Sequence, residues 1–380
     1  MKLTKVVQTI LIASTFIIPI VGNLTINNNT VFENENRSAF KYPNSDVKDY
    51  WDELQKALND RLIGREYFQK LTSNNLFNVL SQTTDFLYQD AFGFPGRFVG
   101  WFFLGDRGDK NYQKHIRDLK RVDKNFDKNF ALLKRFGEIT KNTYLVVGPD
   151  KGSVYPEYMN PYIGYPGKYR YFNDIKQKLL QADIKVIDNQ DAMVAAKDPT
   201  DKTALYYAND THWNRKGALI AFHNTMKTVL GSSYTPLNYD FTWSKNKSGD
   251  LNKSAYISSL KEVLDENEIV ITGSSEIYTK AIDGDHEVTA TRNFGTVQNL
   301  VCGIDQITCN YEYIKSKVYK SKLKIALISD SFGGFFEPYL LDYFEQVLWC
   351  NAYDDHDNIV KYVADFKPDV ILYLRLERNI

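Results

Sequence analysis

A parallel β-sheet with helices on both faces, an α/β fold, is the class this sequence predicts. Three observations predict it. Apolar runs of strand length recur at Tyr144–Val147, Ile184–Ile187, Lys324–Ile328, Val347–Trp349 and Val370–Leu374. Stretches with helical spacing of apolar residues separate them, the alternation that builds parallel sheets. Hydrophobic residues make up 43% and charged residues 25% of 380 residues, enough for a packed core in one large domain or two modest ones.

The elements follow in chain order. Residues 23–45 are polar and Asn-rich and read as a linker, and the body runs from 46 to 380. Trp51, Leu54, Leu58 and Leu62 fall on one helical face. Trp101–Leu104, bounded by Gly100 and Gly105, is a strand candidate. His115–Ile139 carries Ile116, Leu119, Phe126, Phe130, Leu133 and Phe136 near the 3.6-residue period of a helix. Phe172, Ile175, Leu179 and Leu180 mark another helix, as do Lys216–Leu230, Phe335–Phe344 and the stretch holding Ile359, Tyr362, Val363 and Phe366. Residues 236–320 break the rhythm and read as an insertion of β character.

The first 22 residues suggest a compartment. Lys2 and Lys5 form a short positive region ahead of an apolar stretch from Val6 to Val21. That is the pattern of a secretory signal or a signal anchor, somewhat short against the ~20 residues of a spanning helix. No Ala-x-Ala site follows it, which favours retention as an anchor, and no cysteine follows it to accept a lipid. The expected location is therefore the periplasmic or cell-surface side, with residues 6–21 held in the cytoplasmic membrane. Asn-x-Ser/Thr sequons stand at Asn23, Asn28, Asn36, Asn209, Asn246 and Asn252. A glycan on Asn209 would obstruct the chemistry of the adjoining Asp210 and His212, which favours a bacterial envelope protein; a Lys- and Asn-rich composition explains the sequons by chance equally well.

Composition excludes several classes. Lys plus Arg is 47 and Asp plus Glu is 47, so the net charge of zero excludes a nucleic-acid binder driven by bulk electrostatics. Three cysteines are too few for a disulfide-dense scaffold or a four-cysteine zinc site. Cys302 and Cys309 are spaced for a small disulfide loop, which leaves Cys350 as a buried thiol. None of His115, His223, His286 and His356 forms an Asp/Glu/His cluster of recognisable metal spacing, and neither a metal nor a cofactor is expected.

Two segments carry chemistry. Ser331 follows an apolar strand and precedes Gly333, Gly334 and a helix. This context exposes a side chain at the carboxyl end of a sheet, where open α/β sheets place ligands, and aims helix N-terminal amides at a developing oxyanion. Taken alone, Ser331 reads more readily as a helix cap. Asp210-Thr211-His212 supplies the missing base: a carboxylate two residues before a histidine can reach Nδ1 and leave Nε2 free. Asp-x-His can also ligate a metal, and a histidine can be purely structural.

Asp210-Thr211-His212-Trp213, followed downstream by Ser329-Asp330-Ser331-Phe332, resembles the permuted SGNH-hydrolase domain of the alginate O-acetylation proteins AlgJ and AlgX and their relatives. Gly100-Trp101-Phe102-Phe103-Leu104, Pro149-Asp150-Lys151 through Glu157, Asn59-Asp60-Arg61 and Pro368 to Arg378 agree with it in order, from about residue 37 to the C-terminus. The chain departs from the family at Ser329, where the usual motif has glycine. The oxyanion candidates are Ser331 and Asn351, the latter just after the Val347–Trp349 strand.

The resemblance implies an O-acetyltransferase that holds acetyl on Ser331, with His212 as base and Asp210 as its orienting carboxylate, and that acetylates an exopolysaccharide or cell-envelope glycan. Acetyl-CoA is cytosolic and the chain has one apolar stretch, so a multi-spanning membrane protein is the expected acetyl donor. The same triad serves a carbohydrate acetylesterase, and a non-catalytic glycan-binding assembly protein is a third class. Aromatics are 14% of the chain; Trp213, beside the base, and Tyr155 and Tyr158, in a cluster with Tyr162 and Tyr165, are candidates to stack on the acceptor sugar.

Overall fold

The computed structural model describes residues 26, 30–32, 37–43, 50–61, 93–95, 101–104, 124–159, 170–198, 204–239, 241–244, 249–251, 268–271, 276–283, 286–293, 311–316 and 319–380. The chain divides into two compact units, Met1–Thr84 with Asp250–Val263, and Asp85–Gly249 with Leu264–Ile380. The apolar leader, the Cys302–Cys309 pair, Tyr162 and Tyr165 lie outside the described residues. Among the described residues no helix is long and apolar enough to cross a membrane.

In the first unit, β1 (Val31–Phe32) pairs antiparallel with β2 (Arg37–Ser38), and α1 spans Tyr50–Asp60. The expected apolar face of this helix is not the buried one. Trp51 is 77% and Leu58 43% exposed, while Ala57 and Asp60 are buried. Asp60 can be buried because its Oδ2 accepts the Phe40 amide at 2.8 Å. Arg61 Nη1 donates to the Phe40 and Ala57 carbonyls at 2.9 and 2.8 Å. The Asn59-Asp60-Arg61 motif thus ties the helix end to the segment around Phe40.

The second unit is the α/β body. Its strands are β3 (Gly93–Pro95), β4 (Phe102–Leu104), β5 (Thr143–Gly148), β6 (Lys185–Asp188), β7 (Phe241–Ser244), β8 (Glu268–Ile271), β9 (Glu276–Asp283), β10 (His286–Asn293), β11 (Tyr311–Ser316), β12 (Ser321–Ser329), β13 (Phe344–Asn351) and β14 (Val370–Leu376). Its helices are α2 (Lys124–Ile139), α3 (Lys151–Val154), α4 (Phe172–Gln181), α5 (Gln190–Ala195), α6 (Arg215–Leu230), α7 (Gly333–Tyr343) and α8 (His356–Phe366).

Eight of these strands form one sheet in the order β10-β9-β11-β13-β12-β14-β5-β6. The five from β13 to β6 are mutually parallel, as expected. The other three are antiparallel and come from residues 236–320. The stretch expected as an insertion therefore widens the same sheet, so that the sheet is mixed rather than parallel throughout. The short strand β4 pairs with β3 and stays outside this sheet.

Alternation along the central strands fills two cores. Val146, Ile325, Leu327, Leu372 and Leu374 pack with Phe222, Phe336 and Leu340 of α6 and α7. Leu145, Val147, Ala326, Ile328, Ile371 and Tyr373 pack on the other face with Phe136, Leu179, Ile359 and Val363 of α2, α4 and α8. A strand whose two faces are both covered must be apolar at consecutive positions, which explains the unbroken runs in the sequence.

Candidate active site

The Asp-x-His segment is a tight loop leading into α6. The Asn214 amide donates to the Leu205 carbonyl at 2.9 Å, the Tyr207 amide donates to the His212 carbonyl at 3.3 Å, and Tyr206 bridges Trp213 antiparallel. Asn214 caps α6, its Oδ1 accepting the Gly217 amide at 3.0 Å. A Cβ on Gly217 would collide with the Leu205 carbonyl, so glycine lets the helix sit against the loop. Tyr155, buried, accepts the Leu205 amide on its hydroxyl at 2.9 Å. Lys151, also buried, donates to the Tyr207 and Ala208 carbonyls at 2.8 and 2.9 Å, and the Phe102 amide donates to Ala208 at 2.8 Å. Two motifs distant from it in sequence, the Phe102 strand and the PDK block, thus hold the loop.

Ser331 stands in the turn between β12 and α7, at the carboxyl end of the sheet, and is exposed. The turn is anchored by Asp330, 3% exposed. Asp330 Oδ1 accepts the Phe332 amide at 3.2 Å and Oδ2 accepts the Leu376 amide at 3.0 Å. Trp213 joins the two segments, donating from Nε1 to the Phe332 carbonyl at 3.1 Å and packing on the Phe332 ring.

The geometry brings the three expected side chains into line. His212 Nε2 lies 2.8 Å from Ser331 Oγ, and Nδ1 lies 2.6 Å from Asp210 Oδ1. The same carboxylate oxygen accepts the His212 amide at 2.9 Å, which fixes its direction. The His212 and Asp210 side chains are 20% and 22% exposed, so the base is sheltered while the serine faces outward. Such an arrangement can remove a proton from the serine hydroxyl and return it to a leaving group.

The substituted glycine of the serine motif causes no backbone strain. Ser329 ends β12 in register with Asn351, is not among the residues with positive φ, and its Oγ accepts from Trp349 Nε1 at 2.9 Å. The oxyanion expectation changes in detail. Of the amides at the start of α7 and just before it, Phe332 donates to Asp330 Oδ1, Gly333 to the Asp330 carbonyl and Gly334 to the Ser331 carbonyl. The Ser331 amide has no acceptor among the described residues, which leaves it as the candidate donor. Asn351 Oδ1 accepts the Tyr353 amide at 3.0 Å, so its Nδ2 is the remaining candidate.

The aromatic candidates are corrected. Trp213 is 0% and Tyr155 4% exposed, so neither can stack on a sugar. Their polar atoms are used internally, as buried Trp and Tyr require. Tyr158 is half-buried against Trp101 and Tyr155, with ring centroids at 4.6 and 5.0 Å. Asn209 is 3% exposed, so its sequon is buried. Sequence reasoning missed Lys151 as a loop anchor and Phe335 and Tyr207, half-buried rings near His212. The PDK block was visible as a motif, but nothing local to it says which carbonyls it reaches.

An ion network links β6, the PDK block and the C-terminus. Arg170 Nε donates to Glu377 at 2.6 Å and Nη1 to Asp188 at 2.6 Å, with Lys176 3.2 Å from Asp188. Burial works against the Asp188 carboxylate, but the Arg170 charge and hydrogen bond, with Lys176, hold its pKa below the ordinary value. Glu377 also bonds Ser153, and Arg378 bonds Asp150, which ties the C-terminus to the PDK block.

Residues 99–285 match the family described as ALGX, the SGNH hydrolase-like domain of the acetyltransferase AlgX. This stretch, just under half of the chain, is similar to the AlgX acetyltransferase domain. The AlgX match contains Asp210 and His212, while Ser331 lies beyond its end and is placed at the site by geometry. No curated protein matches the chain in sequence. Bacillus cereus PatB1, solved with a sulfonyl adduct, is similar at 14% identity over 76% of this chain and 96% of its own, with a TM-score of 0.51. A DHHW family protein from Eubacterium siraeum is similar at 15% identity over 75% and 93%, also at 0.51. These likenesses are of fold. The AlgX family match makes the domain an SGNH-type O-acetyltransferase.

Proposed function

We propose that the chain acetylates hydroxyls of an exopolysaccharide or cell-envelope glycan through an acetyl-Ser331 intermediate, outside the cytoplasm. The continuous hydrogen-bonded line from Asp210 through His212 to Ser331 carries the reading. In the first half-reaction Ser331 Oγ attacks the acetyl carbonyl as its proton passes to His212 Nε2. The carbonyl oxygen gathers charge at the Ser331 amide and Asn351 candidates. The donor oxygen departs with the proton from Nε2, leaving the serine ester. In the second, an acceptor hydroxyl gives its proton to Nε2 and attacks the ester, and Ser331 leaves and regains the proton. Asp210 stabilises the imidazolium in both.

The donor in this reading is a multi-spanning membrane protein that carries acetyl outward, and residues 6–21 hold the chain beside it. The apolar leader and the cytosolic location of acetyl-CoA support this part. The test is mass spectrometry of the intact protein after exposure to an activated acetyl ester. One added acetyl group is expected, absent in Ser331→Ala and discharged onto an added oligosaccharide. Discharge to water alone would favour the acetylesterase, and absence of both adduct and turnover the glycan-binding protein.

A further inference from the structure

The proposed second half-reaction places a constraint on the acceptor. Its hydroxyl must come within about 2.6–3.2 Å of His212 Nε2 to lose its proton there. The rest of the sugar ring then lies within a few ångströms of the imidazole. Asp210 and Thr211 occupy the Nδ1 side, Thr211 Oγ1 at 3.4 Å. Among the described residues, the aromatic rings packed against the imidazole include Phe332 and Phe335, at 5.1 and 5.7 Å between centroids. Phe332 is 0% exposed and cannot touch a ligand. Phe335 is half-buried, and the half-buried Tyr207 ring lies 6.0 Å from it.

Phe335 and Tyr207 come from the two segments that also supply the triad. Tyr207 precedes Asp210 in the loop, and Phe335 stands in the first turn of α7, four residues after Ser331. The Phe335 ring is held by Arg215: the guanidinium lies 4.9 Å from its centroid, and Arg215 Nη1 donates to the Gly334 carbonyl at 3.1 Å. Arg215 is itself 8% exposed, and its carbonyl accepts from Tyr339 at 2.6 Å. A partly exposed phenyl ring held rigidly beside a proton acceptor offers a face to sugar C–H groups and no hydrogen-bond partner to water.

We infer that Phe335 and Tyr207 form the acceptor subsite, a corner of two rings tilted 57° to one another that seats one sugar ring so that its hydroxyl, rather than water, reaches His212 Nε2. This rests on the proposed transfer reaction and names the part of the site that separates transfer from hydrolysis. The readout is the ratio of acetyl delivered to a neutral oligosaccharide to acetyl released to water. Both products arise from the same serine ester, so the ratio does not depend on how much of a variant is folded. Phe335→Leu keeps apolar volume and removes the aromatic face; Tyr207→Leu does the same opposite it. Each is expected to lower the ratio by about 2- to 10-fold, the range for an aromatic contact. An unchanged or raised ratio in both variants would overturn the inference. Wild-type protein that gives acetyl to water and none to sugar would instead overturn the transfer reading, and the wild-type measurement comes first for that reason.

Discussion

Gly333 and Ser329 lie so close that a Cβ on Gly333 would overlap the Ser329 Oγ and Cβ. The next nearest atom to that position is a Leu327 methyl carbon at 3.7 Å, an ordinary contact. The two residues therefore compensate: the serine that replaces the motif's usual glycine is accommodated because the first residue of α7 has no side chain. Gly333→Ala is expected to cost about 1–3 kcal/mol, as overpacking does, and to slow ester turnover by shifting the Ser331 turn. Adding Ser329→Gly should recover most of the loss. Denaturant unfolding of the two single variants and the pair checks this, and additive losses would contradict it.

The triad makes a graded prediction. Ser331→Ala should lower turnover of an acetyl ester by ~10⁶-fold and abolish the acetyl adduct. Asp210→Asn keeps the hydrogen-bonding shape but favours the wrong imidazole tautomer, with a loss of ~10⁴-fold. Both proteins should unfold near the wild-type denaturant midpoint, since Ser331 is exposed and Asp210 partly so.

Lys151 is expected to matter through the loop it holds. Lys151→Met fills the same space but strips the charged donor from the Tyr207 and Ala208 carbonyls. Ala208 keeps the Phe102 amide. The expected cost is about 2–3 kcal/mol of stability, with activity falling further than the folded fraction because the loop carries the base. Circular dichroism melts paired with ester kinetics on the folded protein would separate the two effects.

Asp188 predicts a dependence on acid. Its pKa is lowered in the folded protein, so the folded state binds fewer protons than the unfolded one as pH falls past the ordinary carboxylate value. The stability it contributes is present above about pH 4 and is lost as pH falls further, toward the folded-state pKa. Asp188→Asn should be less stable at neutral pH by about 3 kcal/mol, having broken a buried pair, and should lose less on acidification from about pH 5 to about pH 3. Urea midpoints measured across that range test it; parallel curves for the two proteins would count against the assignment.

The order of strands and helices in the body was legible because periodicity is local. Covered strands must be apolar at consecutive positions, and helices between them must show one apolar stripe; β5, β6, β12 and β14, with α4, α6 and α8, lie close to where those patterns put them. The triad residue types were legible for a related reason, since a carboxylate two residues from a histidine and a serine after a buried strand are short-range signals. The joining of His212 to Ser331 spans 119 residues, and no local pattern encodes it. Tertiary structure also decided what each aromatic ring does. Trp213 and Tyr155 carry the same side chains whether they face a sugar or a core, and only their neighbours, the Phe332 carbonyl and the Leu205 amide, turned them inward. The helix at Tyr50–Asp60 makes the same point. A period shows which residues share a face, but which face is covered depends on partners elsewhere in the chain; here Phe40 and Asp60 chose it.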